Sequence, residues 1–230
     1  ISVPINEKGD FDIGLQKEIA NKFLVLKKKS KELNEYKQYL KESYVEVSLD
    51  GYNFVEKPLN ELFSYIRGRS CTKAYCNKNK GKYPVWSANN ITPLAYVDFF
   101  DYEGTLITLS RNGIAGKVKI LEGRFTINED RFLLMPKQKN IDLEYIKYSL
   151  EPLLRQNKKG RSGHDGQNEF TKLSFSILDT VSIPIPINKN NKFDLHVQKE
   201  IAKKHKIIND VKNGICKTID DLVNTEILLA

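Results

Sequence analysis

The densest group of side chains that could bind a charged ligand lies between residues 67 and 90. It contains six basic residues and no acid as far as residue 82, followed by one indole, one hydroxyl and two amides. Its members are Arg67, Arg69, Lys73, Lys78, Lys80, Lys82, Trp86, Ser87, Asn89 and Asn90. Lysine and arginine bind phosphates, and an asparagine amide can bond an adenine edge through two hydrogen bonds. The pattern predicts a salt-sensitive nucleic-acid surface built on loops. The alternative is a basic surface that only keeps the protein soluble.

Two further polar, glycine-rich segments are predicted to be loops of the same kind. Residues 110–116 contain Arg111 and Asn112 and precede Lys117, but they lack both G-x-G-x-x-G and G-K-[ST], so they predict no nucleotide-phosphate loop. Residues 158–168 combine three glycines with basic and amide side chains. The polar members of that segment include Arg161, His164, Gln167 and Asn168. A disordered linker is the alternative for this third segment.

No complete catalytic or metal-binding set is recognisable in the sequence. The eight prolines include no adjacent pair, which excludes the Pro-Pro-aromatic motif with which amino-methyltransferases hold the target amine. Asp142 with Gln156 and Lys158 matches a metal-dependent nuclease pattern only loosely. Cys71 and Cys76 could form half a zinc site, but without a second pair they are predicted to be reduced thiols. We therefore predict no enzymatic activity, cofactor or metal.

The composition predicts a globular protein of the cytoplasm. The 230 residues are 40% hydrophobic and 29% charged, with a formal net charge of +8. No run of eighteen apolar residues and no charged-then-apolar leader occurs, so neither membrane insertion nor secretion is predicted. Three cysteines in a lysine-rich chain favour a reducing compartment.

An internal repeat marks the elements that must position the loops. Residues 1–20 and 183–202 match at eleven of twenty positions with a constant offset of 182. Each copy runs from apolar, β-branched residues through a polar turn to an aspartate, Asp12 or Asp194, that can cap a helix. One strand–turn–helix unit is thus predicted twice, on either side of a separate module. Because the sequence starts within the first strand, we expect a missing upstream module.

Two long helices, over residues 13–44 and 194–230, are predicted to follow the two copies. Apolar residues at alternating spacings of four and three form a seam along each helix. The seam residues are Ile19, Phe23, Leu26, Leu33 and Leu40 in the first helix and Ile201, Ile208, Ile215, Ile219 and Leu222 in the second. We expect the helices to pair as an antiparallel coiled coil. Packing of both helices on the intervening module is the alternative.

The module between the helices, residues 45–193, is predicted to be a mixed α/β (α+β) domain. Predicted strands cover residues 45–49, 106–109, 117–121, 125–127, 131–135 and 181–187, and predicted helices cover 59–66, 141–151 and 171–178. The helix over 141–151 should begin at Asn140 or Asp142 and stop at Pro152. An acidic group that would repel phosphate is predicted to lie on a solvated turn away from the nucleic-acid surface. It consists of Asp98, Asp101 and Glu103.

The order of these segments resembles the DNA specificity subunits of type I restriction-modification systems and the related specificity domains of fused restriction-methylation enzymes. The resemblance lies in IPIPIN, in FDL followed by QKEIA, in GKYPVWSANN, in TLITLSRNGIAGKV and in GHDGQNEFTKLSFSILDTVSIPIP. It covers essentially the whole chain, and the repeat is its most specific part.

This resemblance implies the C-terminal half of a non-catalytic specificity subunit. Residues 1–12 would close a missing recognition domain, 13–44 and 194–230 would be conserved-region helices clasped by methyltransferase subunits, and 45–193 would be a target recognition domain. That domain would read one half of a split double-stranded DNA site and direct adenine methylation.

The resemblance also implies partners and base contacts. A translocating endonuclease subunit can join such complexes, S-adenosylmethionine would belong to the methyltransferase, and no membrane partner is implied. Base contacts would come from Ser87, Asn89, Asn90, Arg111, Asn112, Arg161, His164 and Gln167. The alternative function is a coiled-coil adaptor whose α/β domain binds protein.

Overall fold

The computed structural model describes residues 3–44, 49–156 and 172–225. The chain divides into two compact units, described separately below. Residues 1–46 and 206–230 form the helical unit, and residues 47–205 form the α/β unit. No helix in the described ranges is long and apolar enough to cross a membrane.

Two helices of 30 residues each, α1 (Ile13–Glu42) and α6 (Leu195–Asn224), supply the long elements. The helical unit contains α1 and the part of α6 that follows residue 205. Within this unit Lys37 forms an ion pair with Asp220, and the Lys212 ammonium donates a hydrogen bond to the Ser43 carbonyl. The last part of α1 therefore contacts the last part of α6.

The strands of the α/β unit form three sheets among the described residues. A two-stranded antiparallel sheet pairs β1 (Phe54–Pro58) with β10 (Ser182–Pro186). A four-stranded antiparallel sheet has the order β2 (Phe63–Arg67), β9 (Arg131–Pro136), β6 (Leu106–Ser110), β7 (Val118–Leu121). The third sheet has the order β4 (Ala95–Val97), β3 (Lys80–Trp86), β8 (Arg124–Ile127), β5 (Tyr102–Glu103), and its β3–β8 pair is parallel.

Three shorter helices and one amphipathic helix complete the α/β unit. They are α2 (Leu59–Leu62), α3 (Lys73–Lys78), α4 (Leu143–Gln156) and α5 (Phe175–Leu178). The main core is apolar and includes Ile107 and Leu134 of the four-stranded antiparallel sheet, Ile146 and Leu150 of α4, and Ile201 of α6. Burial of these side chains is the main term that stabilises the unit.

The structure confirms five predicted strands and corrects three predicted helices. Strands predicted over 106–109, 117–121, 125–127, 131–135 and 181–187 correspond to β6, β7, β8, β9 and β10. The helix predicted over 59–66 is wrong after Leu62, because residues 63–67 pair with β9 instead. The helix predicted over 171–178 is described from residue 172, and in that part only Phe175–Leu178 is helical, since the backbone N–H of Leu173 donates to the Arg111 carbonyl at 2.9 Å.

The helix predicted over 141–151 begins as expected but ends later. The Asp142 carboxylate accepts a hydrogen bond from the Tyr145 N–H at 2.8 Å. The helix then continues through Pro152 to residue 156. The turn after the proline buries Leu154, and the Arg155 guanidinium donates to the Ala115 carbonyl at 2.9 Å, contacts that offset the lost backbone hydrogen bond.

The sequence patterns missed β1, α3, β3, β4 and β5. Most of the strand predicted over 45–49 lies outside the described residues.

Candidate nucleic-acid interface

Four connections meet at one edge of the α/β unit, which we call the loop edge: residues 68–72, 87–94, 111–117 and 128–130. Strand pairing brings them together, because β2 and β6 end where their partner β9 begins. Arg67 is opposite Phe132, and Ser110 is opposite Arg131. In the sheet β4-β3-β8-β5, strand β3 ends beside the end of β8, with Trp86 opposite Ile127. Loops that follow adjacent strand ends are a common place for binding residues.

Two glycines permit close packing at the loop edge. A Cβ on Gly68 would lie 2.1 Å from the Asn128 carbonyl oxygen, so only glycine lets this connection pass the turn between β8 and β9. Gly116 has φ +86, and a Cβ there would lie 2.9 Å from the Cβ of Leu154. Both connections are therefore held close to neighbouring elements.

The buried side chain of Arg131 anchors the loop that follows β3. Its guanidinium is 0% exposed and donates to the carbonyls of Ser87 at 2.8 Å and Asn89 at 3.3 Å. It also donates to Thr108 Oγ1 at 2.8 Å and to the Asn90 side-chain oxygen. No carboxylate in the described residues forms an ion pair with it, and burial lowers the pKa of Arg131 to about 10. It remains a cation at neutral pH and secures this loop to β6.

Asp130 joins the loop after β3 to the turn between β6 and β7. Its carboxylate accepts hydrogen bonds from the Asn112 amide and, at 3.3 Å each, from Ser87 Oγ and the Asn128 amide. Arg111 is tied to the same region, because its backbone N–H donates to the Asp130 carbonyl at 2.7 Å. These hydrogen bonds hold the loop after β3, the β6–β7 turn and the β8–β9 turn together as one surface.

Lys119 extends this network and packs on the lone indole. Its ammonium donates to the Asn90 carbonyl and lies 3.9 Å from the Trp86 ring centroid, a cation–π distance. Burial, with the neighbouring Arg131 cation, lowers the pKa of Lys119. Trp86 is thus half-buried, with the Lys119 ammonium over its ring.

The predicted base-contacting amides are engaged within the protein. Asn89 Oδ1 accepts from the Ile91 N–H at 2.7 Å, and its amide donates to Thr92 Oγ1 at 3.1 Å. Asn90 Oδ1 accepts from Arg131, and Asn112 donates to Asp130. These side chains therefore shape the loops, and their role as base contacts remains a prediction.

The structure divides the predicted basic run into two groups. Residues 80–86 form β3 rather than a loop, so Lys80 and Trp86 lie at its two ends. Exposed Arg69 lies within the loop edge, and exposed Arg67 directly precedes it. Exposed Lys78, Lys80 and Lys82 lie at or before the opposite end of β3, and exposed Lys73 begins α3. The run is therefore not a single patch.

Ion pairs neutralise some of the predicted cations. Arg69 pairs with Asp101 at 3.2 Å, and its guanidinium lies 4.7 Å from the Phe99 ring centroid. Lys117 pairs with Glu151 at 2.7 Å. The acidic group predicted to lie apart contributes Asp101 to one such pair, and its Glu103 pairs with Arg124 at 3.0 Å. The pairing of β5 with β8 brings Glu103 opposite Arg124.

Cys71 and Cys76 are buried free thiols with their sulfurs 3.5 Å apart. Burial and the hydrogen bond with Cys76 raise the pKa of Cys71 to about 12. No group of three potential metal ligands from His, Cys, Asp and Glu occurs in the described ranges. The Cys71 N–H donates to the Glu129 carboxylate at 3.1 Å, which connects residue 71 to the β8–β9 turn.

Arg161, His164, Gln167 and Asn168 lie outside the described residues. The described residues on either side of that segment both contact the turn between β6 and β7, through Arg155 to Ala115 and Leu173 to Arg111. Sequence reasoning missed Asp130 and Arg131. The available signal was the polar group NEDR between two apolar strands, with an arginine opening the run FLLM.

A comparison with known families decides the class of protein. The family model described as the type I restriction modification DNA specificity domain matches residues 50–224. The chain belongs to this family.

Individual relatives and solved structures agree with the family match. A type I specificity subunit of Mycoplasma pneumoniae is 30% identical over 162 residues, which are 68% of this chain and 40% of the relative. A second subunit from the same organism is 28% identical over 210 residues, covering 88% of this chain and 83% of the relative. The crystal structure of a type I restriction-modification S subunit from M. genitalium shares the fold, with a TM-score of 0.55, 18% identity, and coverage of 73% of this chain and 42% of that one.

The family match confirms the predicted resemblance and agrees with a non-catalytic role. The relatives are named as specificity subunits. The chain spans less than half the length of the first of these relatives and of the solved S subunit.

Burial follows most of the predicted helix seam. Ile19, Leu26, Leu33 and Leu40 are half-buried on α1, whereas Phe23 is exposed. On α6, Ile201 and Ile219 are buried and Ile208 is half-buried. Ile215 and Leu222 are exposed, and Cys216 is buried beside Ile215, so the less exposed stripe shifts by one residue after Lys212.

Proposed function

We propose that the α/β unit binds double-stranded DNA through the loop edge and reads one half of a bipartite target. The observation that carries this proposal is the brace formed by Arg131 and Asp130, which joins three connections into one surface. Preorganised loops lose less conformational entropy on binding than free ones. Burying a cation without a carboxylate partner is costly, which supports a functional reason for the brace.

The proposal also assigns a role to the helices. They would form an antiparallel coiled coil that sets the spacing to a second recognition domain and docks an adenine methyltransferase, with a translocating endonuclease subunit as a further partner. The contacts Lys37–Asp220 and Lys212–Ser43 support it, because the residue number rises along α1 while it falls along α6. S-adenosylmethionine would be bound by the methyltransferase, and the complex would act in the cytoplasm.

Salt-dependent binding to duplex DNA tests the proposed surface. Arg67→Ala should weaken binding and lower the slope of log affinity against log salt by about one, because one phosphate contact is lost. A matched variant, Lys80→Ala, removes an exposed cation at the far end of β3 and should change the slope less. Unchanged slopes in both variants, or no DNA binding by the wild type, would instead favour the protein-binding adaptor.

The methylation pattern of the source cell tests the proposed half-site. Methylated adenines would be mapped before and after deletion of residues 45–193. Loss of one half of a split motif is expected, and an unchanged motif would contradict the proposal.

A further inference from the structure

Ile91 is the most exposed large hydrophobic side chain among the described residues, at 86%. It lies in the loop after β3, within the loop edge. A second exposed isoleucine, Ile114, lies on the turn between β6 and β7. Single exposed apolar residues are common on protein surfaces, so exposure alone does not indicate a contact.

The backbone around Ile91 is held in place. Its N–H donates to the Asn89 side chain at 2.7 Å, and the same side chain donates to Thr92, so a short turn presents residue 91 at its tip. The preceding carbonyl, that of Asn90, accepts from Lys119. Arg131 donates to the Asn90 side chain and to the Asn89 carbonyl. The apolar tip is thus presented in a defined position rather than free to fold back.

Because the neighbouring polar side chains are hydrogen-bonded within the protein, Ile91 is the side chain of this loop best able to touch a base. The amides of Asn89 and Asn90 are bonded within the protein. The cations Arg131 and Lys119 bind the carbonyls of the two residues that precede Ile91, and their positive charge attracts phosphates. A DNA groove has negative walls and an apolar component at its floor, namely thymine methyl groups and base faces.

We propose that Ile91 is a base-contacting residue whose side chain enters a groove of duplex DNA and packs on the apolar surface of a base. This inference rests on the proposed function and extends it to a residue that acts by apolar contact. Two sources supply that surface: the C5-methyl group of thymine in the major groove, or the faces of two bases at an opened step. Ile91 would then contribute to sequence choice while the cations contribute affinity.

The test compares the full chain with its Ile91→Ala variant on a duplex selected from a random pool by the wild type. The variant should bind this duplex roughly tenfold more weakly, the size of one good base contact. Binding to unselected duplex and the salt slope should stay unchanged, because no charge is removed. Leu24→Ala, which truncates an exposed side chain on α1, is the matched control and should bind as the wild type does.

Two modified duplexes separate the sources of the apolar surface. If Ile91 contacts a thymine methyl, replacing thymine by uracil should weaken wild-type binding by the same factor and leave the variant unaffected. If Ile91 opens a base step, 2-aminopurine in the selected duplex should brighten with the wild type and not with the variant. Equal binding by wild type and variant, or a loss accompanied by neither signal, would overturn the inference alone. Failure of the wild type to bind any duplex would overturn the proposed function as well.

Discussion

The two copies of the repeated unit, described over residues 3–20 and 183–202, share a turn and a helix cap but differ in burial. In each copy an isolated β-bridge closes a polar turn, a backbone hydrogen bond ties the aspartate to a proline, and that aspartate caps a long helix. In the first copy these contacts are the bridge Ile5–Phe11, the hydrogen bond from Asp12 N to Pro4 O at 3.0 Å, and the cap on Leu15 N at 2.9 Å. In the second copy they are the bridge Ile187–Phe193, the hydrogen bond from Asp194 N to Pro186 O at 2.8 Å, and the cap on Val197 N at 3.1 Å.

Burial separates the copies, because the second contributes to the core of the α/β unit. Ile201 is 1% exposed and Gln198 is 0% exposed, whereas their counterparts Ile19 and Gln16 are half-buried. The Gln198 side chain accepts from the Asp142 N–H at 2.9 Å and donates to the Asn140 carbonyl at 3.1 Å. Local sequence therefore sets the turn and the cap, and the surrounding domain sets burial.

Truncating the corresponding isoleucines, Ile19 and Ile201, should give the largest difference in stability between the two copies. Ile201→Ala should reduce the free energy of unfolding of the α/β unit by about 2–5 kcal/mol, because it leaves a cavity in the core. Ile19→Ala should change it by less than about 0.5 kcal/mol. Urea unfolding followed by the fluorescence of Trp86, which lies in the α/β unit, measures both. Similar losses in the two variants would contradict the difference in burial.

Truncating the corresponding glutamines, Gln16 and Gln198, should give a smaller difference in stability between the copies. Gln198→Ala leaves the Asp142 N–H and the Asn140 carbonyl without their partner and should cost about 1–3 kcal/mol. Gln16→Ala, the matched change in the first copy, should leave the Trp86 transition within about 0.5 kcal/mol. If Gln198→Ala is equally mild, water replaces the side chain and the contact does not stabilise the unit.

Removing the caps should affect both copies alike. Asp194→Ala and Asp12→Ala each remove a side-chain acceptor at a helix start, worth about 1 kcal/mol. The amides of Val197 and Leu15 should then exchange with solvent about fivefold faster, as hydrogen exchange by NMR would show. A change confined to one copy would mean that the shared local geometry is not the stabilising feature.

The smallest expected effect is a pH dependence at His205, which lies on α6 three residues after the second copy. His205 stacks on Tyr148 with centroids 5.2 Å apart, and burial lowers the pKa of His205. The unfolded chain then holds the proton more readily, so stability should fall as pH drops below the ordinary histidine value of 6.5 and level off below the folded pKa.

At the same offset of 182, the residue that corresponds to His205 is Phe23 on α1, which suggests His205→Phe as the test. Subtracting the variant's stability from that of the wild type, from Trp86-monitored unfolding between pH 5 and 8, isolates this residue. A difference that does not change with pH would show that residue 205 titrates alike in both states.

The candidate site was predictable in residue type but not in arrangement. Lysines, arginines and amides between residues 67 and 117 marked the region. Their partners could not be read from the sequence, because the side chains and carbonyls that Arg131 and Asp130 bind, apart from the nearby Asn128, lie 18 to 44 residues away. The strand character of residues 80–86 was also hidden, since pairing with β4 and β8 outweighs the Gly and Pro that favoured a loop.

The sequence by itself determined the polar turn and helix cap of both copies, three of the four strands of the four-stranded antiparallel sheet and the resemblance to specificity subunits. These features depend on hydrogen bonds and apolar periodicity within a few residues. Only the tertiary structure decided that the second copy is buried, that the basic run is split by β3, and that Arg131 braces the loop edge. The reason is that burial and long-range hydrogen bonds depend on which distant segments come together, and neither has a local signature in the chain.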